Sequence, residues 1–400
     1  MPMTSSRGAP APAHRAALVA VYITIFLDIL GFGLILPVLP FYARELGASG
    51  AELGVLFAAY SMAQLIGSMT LGRLSDRWGR RPVLLASLAG TSAAMFASAV
   101  APTLALLALA RFLGGLFAGS IGVGQAYIAD VSTAEERPRL MGFLGAAIGG
   151  GFVFGPALGA YAVVLGWGFY GAALAAGSLG VANLTLAAFF LHESKTHRRS
   201  PGRLDGLRAG LRRAPLRELL LAIFLSTIAF VSMETALAYF VSDRLGVGAR
   251  GFGLLLTMAG VVSVLVQGGG IGRLTSRLGV RRVAIMGTML SASGLALLAL
   301  APDLGVVIAG IAILALGQGM ALPTLSTLLS FEADGDHQGA VLGAGRSMSA
   351  AARACGPLLA GWLYDLYATA PLWWGVVLSL SAVWMIRGAR DGPDRKESPE

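Results

Sequence analysis

Long apolar runs separated by short polar segments make up most of the chain. About 20 apolar residues are needed to cross roughly 30 Å of hydrocarbon, and twelve runs come close to that length. We number them as spans 1 to 12. They fall at residues 17–39, 52–72, 82–101, 104–128, 139–164, 167–191, 218–241, 251–272, 283–301, 304–329, 339–362 and 370–387. The pattern predicts an all-α membrane protein with twelve transmembrane helices.

The longest polar stretch, residues 192–217, divides these spans into two sets of six. It predicts an N-terminal six-helix bundle at 1–191, a cytoplasmic linker at 192–217, and a C-terminal bundle with a short tail at 218–400. A repeat supports this division, because residues 71–81 recur at 271–281 and Gly155-Pro156 recurs as Gly356-Pro357. Such duplication is typical of secondary transporters, in which two bundles move around a central site.

The composition favours lipid as the main solvent. Only 13% of the 400 residues are charged, against about a quarter in soluble domains, and 55 are glycine. Small residues let membrane helices approach closely. The single cysteine, Cys355, indicates neither a disulfide framework nor a Cys-rich metal site. The first apolar run lacks a small-residue cleavage signal, so we interpret it as span 1 and not as a signal peptide.

The basic residues predict the orientation. Most of the 30 lysines and arginines fall on one side of the predicted membrane, which also receives both termini. Cytoplasmic loops carry such an excess, so we predict a multi-pass protein of the cell (inner) membrane with both termini in the cytoplasm. The net charge of +9 is then a topology signal, and it gives no reason to expect nucleic-acid binding.

The segment Gly72–Pro82 joins spans 2 and 3 and carries an ordered string of glycines and charges. Its members are Gly72, Asp76, Arg77, Gly79, Arg80 and Arg81. We expect both glycines to lie in a tight turn and Asp76 to lie near the start of the next helix. The alternative is a plain positive-inside loop. The string resembles the loop 2–3 signature of the major facilitator superfamily. That resemblance implies a charge latch between the halves, formed by Asp76, Arg80 and Asp130, that closes the cytoplasmic side.

Span 5 carries glycines at spaced positions, together with a proline. They are Gly142, Gly151, Gly155, Pro156 and Gly159. Stacked glycines make a flat packing face, and a proline removes a backbone donor and bends a helix. The alternative is a generic packing face. The spacing resembles the antiporter motif of the proton-coupled drug exporters in the same superfamily, although Ala160 stands where that family often has glycine.

Five charged residues lie well inside predicted spans, away from the span ends: Asp28, Arg111, Glu234, Arg346 and Arg353. A charge within the bilayer costs a few kcal/mol and is by default a functional hypothesis. Burial favours the protonated form of a carboxyl group, so we predict that Asp28 and Glu234 couple transport to protons. Arg111 could instead be the structural partner of a buried acid, Glu234 a solvated residue of the cavity mouth, and Arg346 a side chain that extends to the interface.

These residues and several glutamines predict a central substrate cavity. Its predicted lining is Asp28, Gln64, Arg111, Glu234, Gln318, Arg346 and Arg353, with Gln125 and Gln267 nearby. Glutamines in spans also form interhelical hydrogen bonds, and sequence position does not separate the two roles.

Over nearly its whole length the chain resembles the tetracycline-efflux branch of the drug:proton antiporters, most densely over residues 21–160. DILGFGLILPVLP, SDRWGRRPVLL and ARFLGG carry the likeness. The aspartates that the branch has in spans 3 and 9 are absent here. We predict an exporter of small, largely apolar compounds, multidrug or tetracycline-like, that exchanges them for protons by alternating access. The alternative is a proton-coupled importer of a sugar or organic acid.

An enzyme or a receptor has little support. The four histidines show no metal-ligand spacing, and the chain lacks a phosphate-binding G-x-x-x-x-G-K-[ST] loop. We therefore expect no cofactor and no metal. The expected partners are a small-molecule substrate, protons and the lipid bilayer, and we expect the protein to function as a monomer.

Overall fold

The computed structural model describes residues 12–133, 135–194, 213–332 and 338–389, and the regular structure within these ranges is helical. Ten segments in them are long and apolar enough to cross a membrane. They are Ala17–Glu45, Gly50–Trp78, Arg80–Ala99, Leu104–Val131, Arg139–Val164, Gly168–Phe190, Ala214–Leu245, Ala249–Leu278, Val280–Ala299 and Leu304–Phe331. In order, they correspond to spans 1 to 10.

Two more helices, Gln338–Leu366 and Ala370–Ile386, correspond to spans 11 and 12. The first is 29 residues long but carries two arginines and an aspartate, and the second is apolar but has only 17 residues. A count of twelve crossings therefore stays a prediction. Residues 195–212 of the predicted linker lie outside the described part of the chain, as do the two ends.

Three spans are divided where glycine or proline weakens the helix. Span 1 consists of Pro12–Ile35 and Leu39–Glu45, and span 4 consists of Leu104–Phe117 and Ser120–Val131. Span 8 contains a π-helical turn, Val266–Gly270, between Ala249–Leu265 and Ile271–Leu278. Breaks in membrane helices expose backbone groups to a cavity, and π-turns are frequent at functional sites.

The predicted repeat is visible in the backbone. Gly79 and Gly279 both end a helix and begin the next, with φ of +100° and +85°. These values strain any side chain with a Cβ, so glycine is needed at both turns. The halves also meet in related pairs. Gly54 of span 2 packs against the carbonyl of Pro357 in span 11, and Gly253 of span 8 packs against the carbonyl of Pro156 in span 5.

These contacts between halves lie toward one end of the helices. We call it the Asp365 side, and the opposite end, where Gly79 joins spans 2 and 3, the Arg80 side. Close to the Asp365 side, Gly361 lies against the backbone of Gly50. Toward the Arg80 side, a Cβ added at Gly142, Gly145 or Gly268 would meet no atom within 4 Å. Spans 5 and 8 are therefore packed together on the Asp365 side and have open space around these glycines on the Arg80 side.

Candidate functional site

A cavity of about 270 Å³ lies between the two halves. Spans 1, 2 and 4 contribute much of its wall from the first half, and spans 7 and 11 contribute residues from the second. The charged and polar side chains that line it include Asp28, Tyr60, Gln64, Arg111, Ser120, Glu234 and Arg353. Its volume is close to the lower end of the roughly 300–1,000 Å³ of small-molecule sites, so it has room for a small compound.

The break in span 4 provides a partner for Asp28. Ala118 and Gly119 interrupt the helix, and Ser120 begins the second part with its hydroxyl donating a hydrogen bond to Oδ2 of Asp28. The hydroxyl of Ser87 donates to the carbonyl of Phe117 and so satisfies one backbone group at the break. Asp28 has no ion-pair partner among the described residues.

Arg111 is buried on the other segment of span 4, with 2% of its surface exposed. Its guanidinium carbon lies 4.4 Å from the ring centroid of Tyr60 and 5.7 Å from that of Phe32, which stack on each other at 5.1 Å. Its Nε is buried and has no hydrogen-bond partner. No carboxylate lies within ion-pair distance in the described part of the chain, so the structure does not support the interpretation of Arg111 as the partner of a buried acid.

Glu234 of span 7 and Arg353 of span 11 face each other across the second half. Their nearest charged atoms are 3.8 Å apart, and 25% and 45% of the two side chains are exposed. A separation at the long end of the ion-pair range indicates a loose, partly solvated pair. Both residues line the cavity.

Two of the predicted lining residues lie elsewhere. Gln318 is buried in the second half, where its Nε2 lies 3.4 Å from the carbonyl of Ser226. Arg346 donates a hydrogen bond of 3.0 Å to Oε1 of Gln125, which joins spans 11 and 4. Neither belongs to the wall of the cavity described above. For Gln318 the interhelical hydrogen bond is the role that the geometry supports.

Phe32, Tyr60 and Ser120 were not singled out from the sequence, although they surround Asp28 and Arg111. Phe32 follows Asp28 by one helical turn, which places it on the same face of span 1. Aromatic and serine side chains are common in membrane helices, so only their spacing from charged residues was available as a signal.

Arg80 is the centre of a charged cluster on the Arg80 side. Its Nη1 lies 2.6 Å from Oδ1 of Asp76 and its Nε lies 2.9 Å from Oδ2 of Asp130. Only 7% of the Arg80 and Asp130 side chains is exposed. Because all three residues belong to the first half, the cluster ties spans 2, 3 and 4 together in this structure. A latch between halves stays a prediction.

Two details predicted for this segment are wrong. Asp76 lies in the last turn of span 2 and not at the start of span 3, and Gly72 lies within the span 2 helix and not in the turn. The start of span 3 is held by Glu193, which follows span 6. Its carboxylate oxygens lie 2.6 Å from the backbone nitrogen of Arg80 and 3.2 Å from that of Arg81. A carboxylate at this position is favoured by the helix dipole, but it comes from a distant part of the chain.

The glycines of span 5 pack against span 1. A Cβ on Gly151 would lie 2.7 Å from Cβ of Ile29, and one on Gly155 would lie 2.7 Å from Cα of Gly33. Gly159 meets the carbonyl of Leu34, whereas Gly142 faces open space. The glycine face is therefore a close helix contact within the first half, and the following Pro156 lies inside an uninterrupted helix.

On the Asp365 side, charged groups join the halves. Arg44, at the end of span 1, forms an ion pair with Asp243, at the end of span 7, and the hydroxyl of Tyr364 donates to the same carboxylate at 2.6 Å. Asp365 accepts hydrogen bonds from the backbone nitrogens of Gly50 at 2.7 Å and Ala51 at 2.8 Å. Sequence reasoning missed this cluster because its members are far apart in the chain.

Comparison with known proteins gives a consistent result. The model of the Major Facilitator Superfamily matches residues 21–271 and 219–400. The chain is 33% identical to the class C tetracycline resistance protein of Escherichia coli over 375 residues, covering 92% of this chain and 93% of that protein. It is 27% identical to the quinolone resistance protein NorA of Staphylococcus aureus strain COL, covering 92% and 94%.

Solved structures share the fold. The human organic anion transporter MFSD10 (TETRAN) superimposes with a TM-score of 0.70 at 24% identity, covering 95% of this chain and 100% of that one. The nucleoside transporter NupG gives a TM-score of 0.76 at 14% identity, covering 93% and 99%. With the family model matching nearly all of the chain and a similar relative above 30% identity, the chain belongs to the major facilitator superfamily, and it is a membrane transporter and not an enzyme.

Proposed function

We propose that this protein is a secondary active exporter that exchanges small, largely apolar compounds for protons by alternating access. The observation that carries the proposal is Asp28, a membrane carboxyl group without an ion-pair partner among the described residues, on the wall of a cavity between the two halves. The names of the tetracycline and quinolone resistance relatives support drug export.

The proposed topology has twelve crossings, two six-helix bundles and both termini in the cytoplasm of a cell (inner) membrane. The Arg80 side is then cytoplasmic, and the packed Asp365 side makes this an inward-facing state. In this state Asp28 releases its proton and the cavity takes substrate from the cytoplasm or inner leaflet. After the switch, external protons displace the substrate.

Proton entry supplies the driving force. Each positive charge that crosses the membrane inward releases about 2.3 kcal/mol per 100 mV of potential. Glu234 is a second candidate proton carrier. Arg353 lies next to it, so this arginine competes with protons for the Glu234 carboxylate. When the Arg80 side closes, Asp76, Arg80 and Asp130 would form the latch between halves. We propose that one chain is sufficient for transport.

The proposal is tested first in an efflux-deficient host, with a susceptibility panel of tetracyclines, quinolones and lipophilic dyes. Uptake of a compound identified by the panel is then measured in everted vesicles. We expect uptake by the wild type to collapse with a protonophore, and Asp28→Asn to abolish the proton-dependent part. Asp303→Asn is the matched control, because Asp303 caps its own helix far from the cavity and asparagine also caps well.

Uptake that persists both with the protonophore and in Asp28→Asn would reject proton exchange. Accumulation of a labelled sugar or organic acid by right-side-out cells, lost on adding the protonophore, would instead support the import alternative.

A further inference from the structure

The cavity presents two charged side chains of opposite sign that lack an ion-pair partner in the described ranges. Arg111 contributes the cation and Asp28 the carboxylate, and both line the same cavity. The other two charged residues of the wall, Glu234 and Arg353, form an ion pair with each other. We propose that the cavity binds zwitterionic amphiphiles, in which an apolar body carries both a carboxylate and an amine. The carboxylate binds Arg111 and the ammonium group binds Asp28. This inference rests on the proposed function.

Burial of Arg111 is the first step of the argument. Removing an unpaired charge from water is costly, and attraction to aromatic faces offsets only part of that cost. The guanidinium carbon lies over the rings of Tyr60 and Phe32, while its Nε still lacks an acceptor. The planar fork of N–H donors matches a carboxylate in geometry and charge. A ligand carboxylate would therefore complete the site.

The acids in the described part of the chain do not fill this role. Asp28 accepts a hydrogen bond from the hydroxyl of Ser120, and Glu234 faces Arg353. The carboxylate of Asp28 is thus held by a neutral donor and keeps its charge available for a cation. An ammonium group supplies both the charge and the N–H donors that a carboxylate accepts.

The cavity wall next to these charges suits an apolar body. Phe32 lies one helical turn from Asp28, and its ring stacks at 5.1 Å on Tyr60, which contacts Arg111. The aromatic pair therefore lies next to both charged groups. A ligand with an aromatic body can lie against this pair with its carboxylate at Arg111 and its ammonium group at Asp28.

A zwitterion also fits proton exchange. It brings no net charge into the cavity, so its binding does not oppose the membrane potential. Its ammonium group and a proton compete for the same carboxylate, Asp28, whereas its carboxylate contact with Arg111 is independent of that competition. Protonation of Asp28 then weakens the contact with the ammonium group, and the ligand is released.

The test is equilibrium binding to the purified protein in lipid nanodiscs, with three dansyl probes that share one fluorophore. Nε-dansyl-lysine carries a carboxylate and an amine, dansylcadaverine has only the amine, and 6-(dansylamino)hexanoate has only the carboxylate. We expect the wild type to bind dansyl-lysine about tenfold or more tightly than either single-charge probe, as for hydrogen bonds between charged groups. Arg111→Gln should reduce it to the level of dansylcadaverine, and Asp28→Asn to the level of the hexanoate.

Arg282→Gln, which removes a cation outside the cavity, should keep the preference of the wild type. The inference is overturned if the wild type binds dansyl-lysine no better than the other probes, or does not bind it. It is also overturned if Arg111→Gln weakens all three probes equally, as a structural role would, or if Arg353→Gln removes the preference and Arg111→Gln does not.

Binding is measured without a gradient, so failure of proton exchange is recognised separately. If everted vesicles take up dansyl-lysine in the presence of a protonophore while the binding preference stands, the coupling is wrong and the ligand class is right.

Discussion

Asp365 belongs to the second half of the chain, yet its carboxylate holds the start of span 2 in the first half. Its two oxygens accept hydrogen bonds from the backbone nitrogens of Gly50 and Ala51 at 2.7 and 2.8 Å. The substitution Asp365→Ala removes both acceptors and leaves the two N–H groups to water. We expect it to weaken closure of the Asp365 side and to shift the protein toward states in which that side is open.

The size of the shift follows from the two bonds. A hydrogen bond to a charged group contributes about 1.5–3 kcal/mol, but Asp365 is exposed and water can replace it in the open state. We therefore take about 1–3 kcal/mol for the pair, which corresponds to a change of roughly five- to 150-fold in the ratio of closed to open states.

The assay is a distance measurement between spin labels in nanodiscs, after Cys355→Ser removes the native thiol. Val100 and Leu300 occupy related positions at the Asp365 ends of spans 3 and 9, and both are about two-thirds exposed, at 67% and 66%. Labels there report the Asp365 side. Labels at Trp78 and Leu278, which end related helices and are both exposed, report the Arg80 side. Asp365→Ala should lengthen the first distance and shorten the second.

Asp303→Ala is the matched control. Asp303 also holds a helix start, accepting from the backbone nitrogen of Val306 at 3.0 Å, but it lies within one half. Its loss should lower stability without changing either distance. Asp365→Asn, which keeps one acceptor oxygen without the charge, should give an intermediate shift. Unchanged distances in Asp365→Ala, or an equal change in Asp303→Ala, would refute the reasoning.

Three further substitutions test other contacts. Gly155→Val should force spans 1 and 5 apart and lower the unfolding free energy by about 1–3 kcal/mol, whereas Gly122→Val, in open space, should leave the melting temperature in detergent close to that of the wild type. Arg80→Ala leaves a buried aspartate without its partner and should cost about 3–5 kcal/mol in the same melting experiment, with the exposed Arg77→Ala as the control. In Gly54→Val the new side chain would clash with the backbone of span 11, so the spin-label distance on the Asp365 side should lengthen. An unchanged distance would contradict this expectation.

The repeat explains why much of the fold could be predicted from the sequence. Residues 71–81 and 271–281 predicted related turns, and Gly79 and Gly279 adopt the same unusual backbone. Helix existence follows from apolar length, which is a local property. Contacts between halves are not local. The repeated sequence alone therefore could not predict that Gly54 packs against Pro357 and Gly253 against Pro156.

The candidate site was predictable for its charges and not for their surroundings. Asp28 and Arg111 stood out because charges in membrane spans are costly. The donor to Asp28 is Ser120, and its position depends on the break at Gly119. The prediction that Asp76 lies near the start of span 3 was wrong for a similar reason. The carboxylate at that helix start belongs to Glu193, which follows span 6.

The symmetry of the two halves does not extend to the charges that hold them together. Gly155-Pro156 and Gly356-Pro357 are offset by 201 positions, so the counterpart of Asp365 is Val164, which has no carboxylate to hold the start of span 8. The Gly54 and Gly253 contacts are therefore related by the repeat, whereas the Asp365 contact occurs once among the described residues. States that interconvert during transport must differ by only a few kcal/mol. When the two halves are nearly symmetric, one charged contact worth a few kcal/mol is enough to determine which side is closed in the absence of substrate. One substitution at Asp365 should therefore shift the equilibrium measurably.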